Sequence, residues 1–306
     1  MAVIVSPGDT YSHMSATVAD RISKATKGRV SITVSDSLVP PAQVATAVRE
    51  GRLPMAAPLH TYLAADEPRM GIFNLPGLIE NIQDYQTVRN DFWGKDVEKI
   101  WSEKWNAKVL AEGAWCRTQL FSKQPIQTLA DFNGKRLRVH NPQTASLITA
   151  LGAKGTPMPT TEIGPALERG VIDGVFISGC VGNGMELWRD APYVQDWSIG
   201  AVTGWAILMN NDVWKKLPVD IQEQISAEML KIEQETFSGY DKFVQAALDT
   251  MKQKGAKLWV ASPEDLAQLN QEKYTKAAFD SWYRRAQDVG FDGPAYVKKV
   301  SDALGK

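Results

Sequence analysis

The sequence is short of the residues that most often carry metal and redox chemistry. Among 306 residues there are three histidines, His13, His60 and His140, and two cysteines, Cys116 and Cys180. Their spacing matches no zinc or haem motif, so we expect no metal site and no cofactor. We expect the cysteines to be two separate buried side chains. A single disulfide is the alternative, and their spacing alone does not argue for it.

An excess of charge and long apolar runs are also missing. Lys and Arg total 34 against 35 for Asp and Glu, which gives no positive surface for nucleic acid. No run approaches the roughly 18 apolar residues of a membrane-spanning helix. The chain does not open on a charged stretch followed by an apolar one, as a secretory signal does. We therefore expect a protein that is not embedded in a membrane, and that is either cytoplasmic or has lost a leader.

Motifs of the common enzyme classes are absent as well. The chain contains no G-x-G-x-x-G, no phosphate-binding G-x-x-x-x-G-K, no H-E-x-x-H and no G-x-S-x-G,. Cys180 could be paired with His60 or His140 as nucleophile and base, but no local pattern supports that pairing. The sequence favours a protein that is not an enzyme.

What the chain does contain is an alternation of helical and strand-like segments. Residues 10–26 carry apolar side chains four apart, as on one face of a helix, and "RVSITV" (29–34) alternates like a strand,. "PPAQVATAVREG" then predicts a helix and "PMAAPLHTY" a strand. The middle repeats the scheme, with strands predicted at "RLRVH", "KGTPM", "GVFIS" and "GWAILMN". This order predicts an α/β fold with a largely parallel sheet.

The last third is predominantly helical. Residues 218–254 repeat apolar side chains every three or four positions, which predicts one long helix of about 55 Å or two abutting ones. "SPED" at 262–265 is typical of a helix start. A helix of that length could lie across two lobes. Since no linker separates the two α/β halves, we expect the chain to cross between them more than once.

Two arginines occupy unusual positions. Arg117 lies in "GAWCRTQLFS" and Arg138 in "KRLRVHN", both inside apolar, strand-like segments. A guanidinium stays charged, and burying it without a partner is costly. Each must face solvent, a protein carboxylate or the anion of a ligand. An internal salt bridge and an anion-binding cleft remain open for both.

Three aromatic or heterocyclic side chains are further candidates for a cleft. Trp115 and Trp205 each stand near a glycine where a strand-like segment begins or ends, and either could line a binding site,. His60, followed by Thr61, lies at the end of an apolar segment. It is interpreted either as a hydrogen-bonded, half-buried histidine or as a donor in a pocket.

The central segment resembles a known family. "GKRLRVHNPQTASLITALGAKGTPMPTTEIGPALERGVIDG" is similar to the signature of the substrate-binding proteins of tripartite ATP-independent periplasmic (TRAP) transporters, the DctP family. "TKGRVSITVSDSLVP", "EPRMGIFNLPGL" and "NNDVWKKLP" match further parts of it in the same order. The resemblance therefore extends over nearly the whole chain.

The resemblance implies a two-lobe periplasmic-binding-protein-like fold, with a long helix spanning both lobes and a ligand cleft between them. Lobe I is predicted at 1–120 plus 208–255 and lobe II at 121–207, with a C-terminal helical segment at 256–306. It also implies a monomer in the periplasm that delivers a small organic acid to the membrane subunits of a TRAP transporter. In that family the matching arginine, here Arg138, clamps the ligand carboxylate, and Arg117 occupies the place of a second one. A sensory ligand-binding module and, less favoured, a two-lobe enzyme are the alternatives.

One departure from the family pattern bears on the ligand. Many members that bind sialic acid or C4 acids follow V-x-D-G with Q-E-N-P, whose Asn contacts the ligand, whereas "VFIS" stands here. A branch that binds 2-oxo acids carries a Glu-Trp pair at this place that helps to hold a metal ion. Phe176 and Ile177 cannot do so, and no metal is expected.

The segment "VFISGCVGNG" (175–184) is predicted to form one wall of the cleft. It contains no charged residue, and its candidate contacts are Phe176, Ser178, Cys180 and Asn183. Such a wall favours a monocarboxylate with a compact neutral tail, branched or aromatic, and should reject a second carboxylate. A dicarboxylate or a sugar acid remains the alternative ligand, because a protonated His60 could serve a second anion.

Overall fold

The computed structural model describes residues 1–3 and 10–306 as a mixed α/β protein. The α-helices are α1 (Thr10–Ala25), α2 (Val44–Arg49), α3 (Ile82–Val88), α4 (Gly94–Trp105), α5 (Pro142–Ala150), α6 (Ile163–Glu168), α7 (Gly179–Gly184), α8 (Asn211–Lys216), α9 (Val219–Gln253), α10 (Pro263–Leu269), α11 (Glu272–Asp288) and α12 (Gly293–Leu304). The strands are β1 (Met55–Ala56), β2 (Ala107–Trp115), β3 (Thr118–Ser122), β4 (Arg136–Val139), β5 (Lys154–Pro157), β6 (Gly174–Ser178), β7 (Tyr193–Asp196), β8 (Thr203–Asn210) and β9 (Lys257–Val260).

The strands form two sheets. One has three strands in the order β1-β8-β2, and the other has six in the order β5-β4-β6-β3-β7-β9. Neighbours in the three-stranded sheet are antiparallel. In the six-stranded sheet β4 pairs parallel with β5 and β6, β7 pairs parallel with β9, and β3 is antiparallel to both its neighbours. The prediction of a largely parallel sheet is therefore wrong for the three-stranded sheet and for β3.

The chain passes between the sheets several times, as expected. β2 ends in the three-stranded sheet at Trp115, and β3 begins in the other sheet at Thr118. The chain returns between β7 and β8, and α9 then leads from the three-stranded sheet back to β9 in the six-stranded one. The fold thus has two sheet-based halves. They share one apolar cluster, to which Trp115 and Ile207 of the three-stranded sheet and Phe121 and Val175 of the six-stranded sheet belong. The residue limits given above for the lobes stay a prediction.

Helix α9 is a single helix of 35 residues, which at 1.5 Å per residue is about 52 Å long. Its buried side chains recur at helical spacing: Ile221, Ile225, Met229, Ile232, Thr236, Tyr240, Ala247 and Met251. It packs against α1, β2 and α7. Since β2 belongs to the three-stranded sheet and α7 follows β6 of the other, α9 contacts both halves. The sequence left open one long helix or two abutting ones, and the structure has one.

A disulfide joins Cys116, in the crossing between β2 and β3, to Cys180 at the start of α7. The expectation of two separate cysteines is therefore wrong. The two Cα atoms lie 5.9 Å apart, within the range that a disulfide bridges. Ala247 and Phe243 of α9 pack against the pair. The spacing of the two cysteines could not show this, because the fold and not the sequence brings β2 next to α7.

Local predictions hold for several helices and for the strands predicted in the middle of the chain, where β4, β5, β6 and β8 lie at the four predicted segments. α1 ends at Ala25, and α10 begins after Ser262, whose side chain accepts from Asp265 N, so both predictions are confirmed. Within the described part of the chain, residues 29–34 form no strand, and only an isolated bridge joins Ser35 to Ala2. "PMAAPLHTY" is reduced to the two residues of β1 and a turn of 3-10 helix at His60–Leu63. Of the helices described, none is long and apolar enough to cross a membrane.

Candidate functional site

A cavity of about 90 Å³ lies where the two sheets meet. The three-stranded sheet contributes the ends of β2 and β8, and the six-stranded sheet contributes β3, β4 and β6. The cavity is lined by Leu59, Thr61, Tyr62, Trp115, Cys116, Thr118, Arg138, His140, Thr160, Ile177, Ser178, Val181 and Thr203. No carboxylate is among these residues, so the lining is mostly apolar or neutral.

Arg138 is the charged side chain of this cavity. It stands on β4 between Leu137 and Val139, is flanked by β5 and β6, and is only 6% exposed. Its Nε donates to the Met158 carbonyl and its Nη1 to the Phe176 carbonyl, each at 3.0 Å. No carboxylate among residues 1–3 and 10–306 forms an ion pair with it. Burial lowers the pKa of Arg138 to about 10, so the guanidinium stays charged at neutral pH and is only partly satisfied.

His140 lies two residues beyond Arg138 and lines the same cavity. Burial, and then the nearby Arg138 charge, lower the pKa of His140 to about 3. The Asn141 side-chain amide lies 3.0 Å from His140 Nε2 and can donate to it when the ring is neutral. The ring is therefore uncharged at neutral pH. Among the described lining residues, Arg138 supplies the only positive charge.

Two lining side chains carry buried polar atoms without a protein partner. Trp115 Nε1 and Ser178 Oγ form no hydrogen bond with the described part of the chain. Trp115 ends β2 and stacks on Tyr11 with ring centroids 5.0 Å apart. Ser178 ends β6, opposite Thr118 of β3. Buried donors usually have partners, which makes these two groups candidates for contact with a ligand.

Four of the candidate residues from the sequence line the cavity: Arg138, Thr61, Trp115 and Ser178. Arg117 is placed elsewhere. Its Nε lies 2.7 Å from Asp196 Oδ2 and its Nη2 lies 3.1 Å from Asp196 Oδ1. Of the two alternatives for Arg117, the structure therefore has the internal salt bridge, made possible because β3 and β7 are neighbours.

His60 is not among the lining residues. It is 1% exposed, and its Nε2 lies 3.2 Å from Glu112 Oε1. Arg89 donates to the other Glu112 oxygen at 2.8 Å and pairs with Glu233 at 2.7 Å. His60 thus lies beside the ion pairs of Arg89 with Glu112 and Glu233, and the structure does not bring it to Arg138.

The remaining candidates lie outside the cavity lining. Phe176 packs in the core of the six-stranded sheet, and Trp205 meets the edge of Tyr11 at 5.6 Å. Cys180 forms the disulfide, and Asn183 lies on α7 without lining the cavity. The wall formed by β6 and α7 is instead made by Ile177, Ser178 and Val181.

Several lining residues were not anticipated, among them Tyr62, His140 and Thr160. His140 had a signal in the sequence, because residues two apart on a strand share one face, and it follows Arg138 by two. Tyr62 and Thr160 lie in 3-10 turns, His60–Leu63 and Thr160–Glu162, and no local pattern marks them as cavity residues. No group of three or more His, Cys, Asp or Glu residues that could hold a metal ion occurs in the described ranges.

Comparisons with known proteins agree with this architecture. The family model of DctP, "Bacterial extracellular solute-binding protein, family 7", matches residues 1–282. A solute-binding protein of Roseobacter denitrificans is 29% identical over 164 residues, which are 52% of this chain and 49% of that protein. The chain therefore spans about half the length of that relative.

Two further relatives are matched over more of their length. The "Monocarboxylate 2-oxoacid-binding periplasmic protein" of Nostoc sp. is 24% identical over 282 residues, covering 90% of this chain and 76% of that protein. A TRAP periplasmic solute-binding protein of Ralstonia eutropha H16, solved with bound acetolactate, superimposes with a TM-score of 0.88 at 21% identity, covering 100% of this chain and 98% of that chain. Because the family model extends over most of the sequence, the chain belongs to the DctP family, the bacterial extracellular solute-binding proteins of family 7.

Proposed function

We propose that this protein is a periplasmic receptor that captures a small organic monocarboxylate and delivers it to the membrane subunits of a TRAP transporter. The observation that carries the proposal is Arg138, a buried guanidinium whose protein partners are two backbone carbonyls. A guanidinium has five N–H donors in a fork that matches a carboxylate. The donors that remain, in a small cavity with no acidic residue among its described lining, suit the carboxylate of a ligand.

The charge of the cavity favours one carboxylate over two. Arg138 is its single cation among the described residues, and the lowered pKa of His140 keeps that ring neutral. A second carboxylate would lose its hydration without gaining an opposite charge. Leu59, Ile177 and Val181 add an apolar surface that suits a compact, neutral tail. The name of the Nostoc relative, which is said to bind monocarboxylate 2-oxoacids, supports the same choice.

The lining also argues against an enzyme. Cys116 and Cys180 are joined in a disulfide, so neither offers the thiolate that a cysteine nucleophile needs,. His140 does not titrate near neutral pH, and a general base works best when its pKa is close to the working pH,. The residues that surround the cavity therefore suit binding better than turnover.

The experiment is a titration in two stages. A thermal-shift panel first compares branched and aromatic 2-oxo and 2-hydroxy monocarboxylates with C4 dicarboxylates and uronic acids. We expect only monocarboxylates to stabilise the protein. Calorimetry with the best ligand then measures Arg138→Ala, which should lose about 2–5 kcal/mol of binding free energy, as is typical when one member of a buried charge pair is removed.

Arg136→Ala is the matched control. Arg136 is on the same strand, but its side chain is exposed and pairs with Asp173 at 2.6 Å. The control should keep the affinity of the wild type. An Arg138→Ala variant that binds within threefold of the wild type, or a panel in which only dicarboxylates or uronates stabilise the protein, would contradict the proposal.

A further inference from the structure

We infer that the ligand carries an uncharged acceptor oxygen beside its carboxylate, and that Trp115 Nε1 and Ser178 Oγ donate hydrogen bonds to this oxygen. The inference rests on the proposed function, since it takes Arg138 as the partner of the carboxylate. It adds a second subsite in the same cavity, which selects among monocarboxylates. We call Trp115 and Ser178 the acceptor subsite.

The first half of the acceptor subsite is an indole whose N–H has no partner among the described residues. Trp115 is the last residue of β2, pairs with Thr203 of β8 and is 8% exposed. Its ring is held by stacking on Tyr11. The Nε1 atom is buried and has no partner in the described ranges. An indole N–H is only a donor, so the atom that satisfies it must be an acceptor.

The second half comes from the other sheet. Ser178 is the last residue of β6. Phe176 lies two residues earlier on that strand, and its carbonyl accepts a hydrogen bond from Arg138. Ser178 Oγ is also buried and has no partner in the part of the chain that the structure describes. Both unpartnered atoms thus belong to residues that line one small cavity with Arg138, although they reach it from different sheets. An oxygen bound by both would link the two halves of the molecule.

An unpartnered indole alone would not carry this inference. Trp93, Trp101, Trp105, Trp188 and Trp205 also have buried Nε1 atoms without a partner in the described residues. None of these lines the cavity of Arg138, whereas Trp115 does. Trp115 differs from the other tryptophans because its unpartnered donor belongs to a residue that lines the cavity. Ser178 shows the same combination independently. Trp205 is a matched control, because it contacts the same Tyr11 ring.

The acceptor should be neutral. Trp115 and Ser178 offer neutral donors, and His140 is uncharged, so among the described lining residues a second anion would find no counter-charge besides Arg138, which holds the first,. A ketone, hydroxyl or lactam oxygen meets both requirements. Sites built to hydrogen-bond a substrate group discriminate strongly against an analogue that lacks it, because their own polar groups are then left unpaired.

The test uses pairs of acids that differ in the acceptor. Ketoisovalerate is compared with isovalerate, and 3-oxocyclopentanecarboxylate with cyclopentanecarboxylate, by calorimetry. In the wild type the oxygen-bearing member of at least one pair should bind tenfold or more tightly than its partner. Trp115→Phe and Ser178→Ala should each reduce that ratio at least threefold. Trp205→Phe, which loses the same indole atoms away from the cavity, should keep it.

The outcomes separate this inference from the proposed function. If both members of every pair bind equally and Arg138→Ala abolishes binding, the acceptor subsite is wrong while the carboxylate receptor stands. A ratio that survives both Trp115→Phe and Ser178→Ala also overturns it. If no monocarboxylate binds the wild type at millimolar concentration, both fail. Ser178→Ala keeps the test decisive should Trp115→Phe not fold, since it removes one oxygen only.

Discussion

His140 is a histidine kept neutral by its position next to a buried arginine. Its pKa is lowered to about 3 by burial and by the charge of Arg138, whereas an unfolded chain protonates a histidine near pH 6.5. At pH values between these two pKa values, the unfolded state binds a proton at His140 that the folded state does not bind. The contribution of His140 to stability is therefore complete above about pH 6.5 and is lost as the pH falls towards 3.

The direction of this pH dependence gives a prediction for His140→Gln. Relative to this variant, the wild type should lose unfolding free energy as the pH falls from 7 to 5, with a limiting slope of about 1.4 kcal/mol per pH unit. Urea unfolding at several pH values measures both proteins, and groups common to the two cancel in the difference. Parallel pH profiles would show that His140 is protonated in the folded state.

Arg138 and Arg117 show how far a sequence can identify a binding residue. Both are charges in apolar strands, which correctly predicts that each needs a partner. The partner of Arg117 is Asp196, 79 positions away, and nothing local reveals that β3 and β7 are neighbours. The family resemblance assigned both arginines to the ligand, and only the structure shows that Arg117 pairs with Asp196 instead. Trp115 was found through its position at a strand end, while Thr160 and Tyr62 depend on tertiary packing.

At the scale of elements, the crossing between β2 and β3 is anchored twice. The Cys116 disulfide ties it to α7, and the salt bridge of Arg117 ties it to the end of β7. Both anchors lie between Trp115 and Thr118, which line the cavity. The crossing therefore holds two lining residues at fixed positions relative to the six-stranded sheet.

Removing the disulfide should lower stability. The cysteines are 64 residues apart, and constraint of an unfolded chain with a loop of that length contributes about 4 kcal/mol in the chain-entropy model. Urea unfolding of Cys116→Ser with Cys180→Ser should show this loss. Wild type treated with a reductant that opens the bond should behave like the double variant. Coincident unfolding curves for oxidised wild type and double variant would contradict the expectation.

The elements that the sequence predicts well are those with local signals. The length of α9 follows from apolar periodicity, and the start of α10 follows from Ser262 and Asp265, whose side chains cap it reciprocally. The strands are harder, because pairing decides them. β2 and β8 are antiparallel neighbours, yet β3 to β7 of the other sheet lie between them in the sequence. No periodicity in either segment carries that information.

At the scale of the molecule, the cavity has walls from both sheets, which are connected by the crossings from β2 to β3 and from β7 to β8 and by α9. Such an arrangement suits hinge closure on a ligand, in which a few residues between elements absorb the motion. We expect ligand binding to reduce the radius of gyration and to change the fluorescence of Trp115, which lines the cavity.

Small-angle scattering and tryptophan fluorescence, each with free and saturated protein, measure this response. Arg138→Ala at the same ligand concentration should give neither change, and Trp115→Phe should lose most of the fluorescence change while keeping the change in scattering. Superimposable scattering profiles of the free and saturated wild type would mean that the halves do not move.

Arg138 also has a consequence for any sample of this protein. A buried cation that two carbonyls satisfy only in part attracts whatever small anion its surroundings provide,. Acetate or formate in a buffer then competes with the physiological acid, and the apparent dissociation constant rises in proportion to one plus the ratio of competitor concentration to its own dissociation constant. An acid carried over from the cells has the same effect. The measured affinity of a preparation therefore depends on the buffer anions it contains and on the acids that remain from purification.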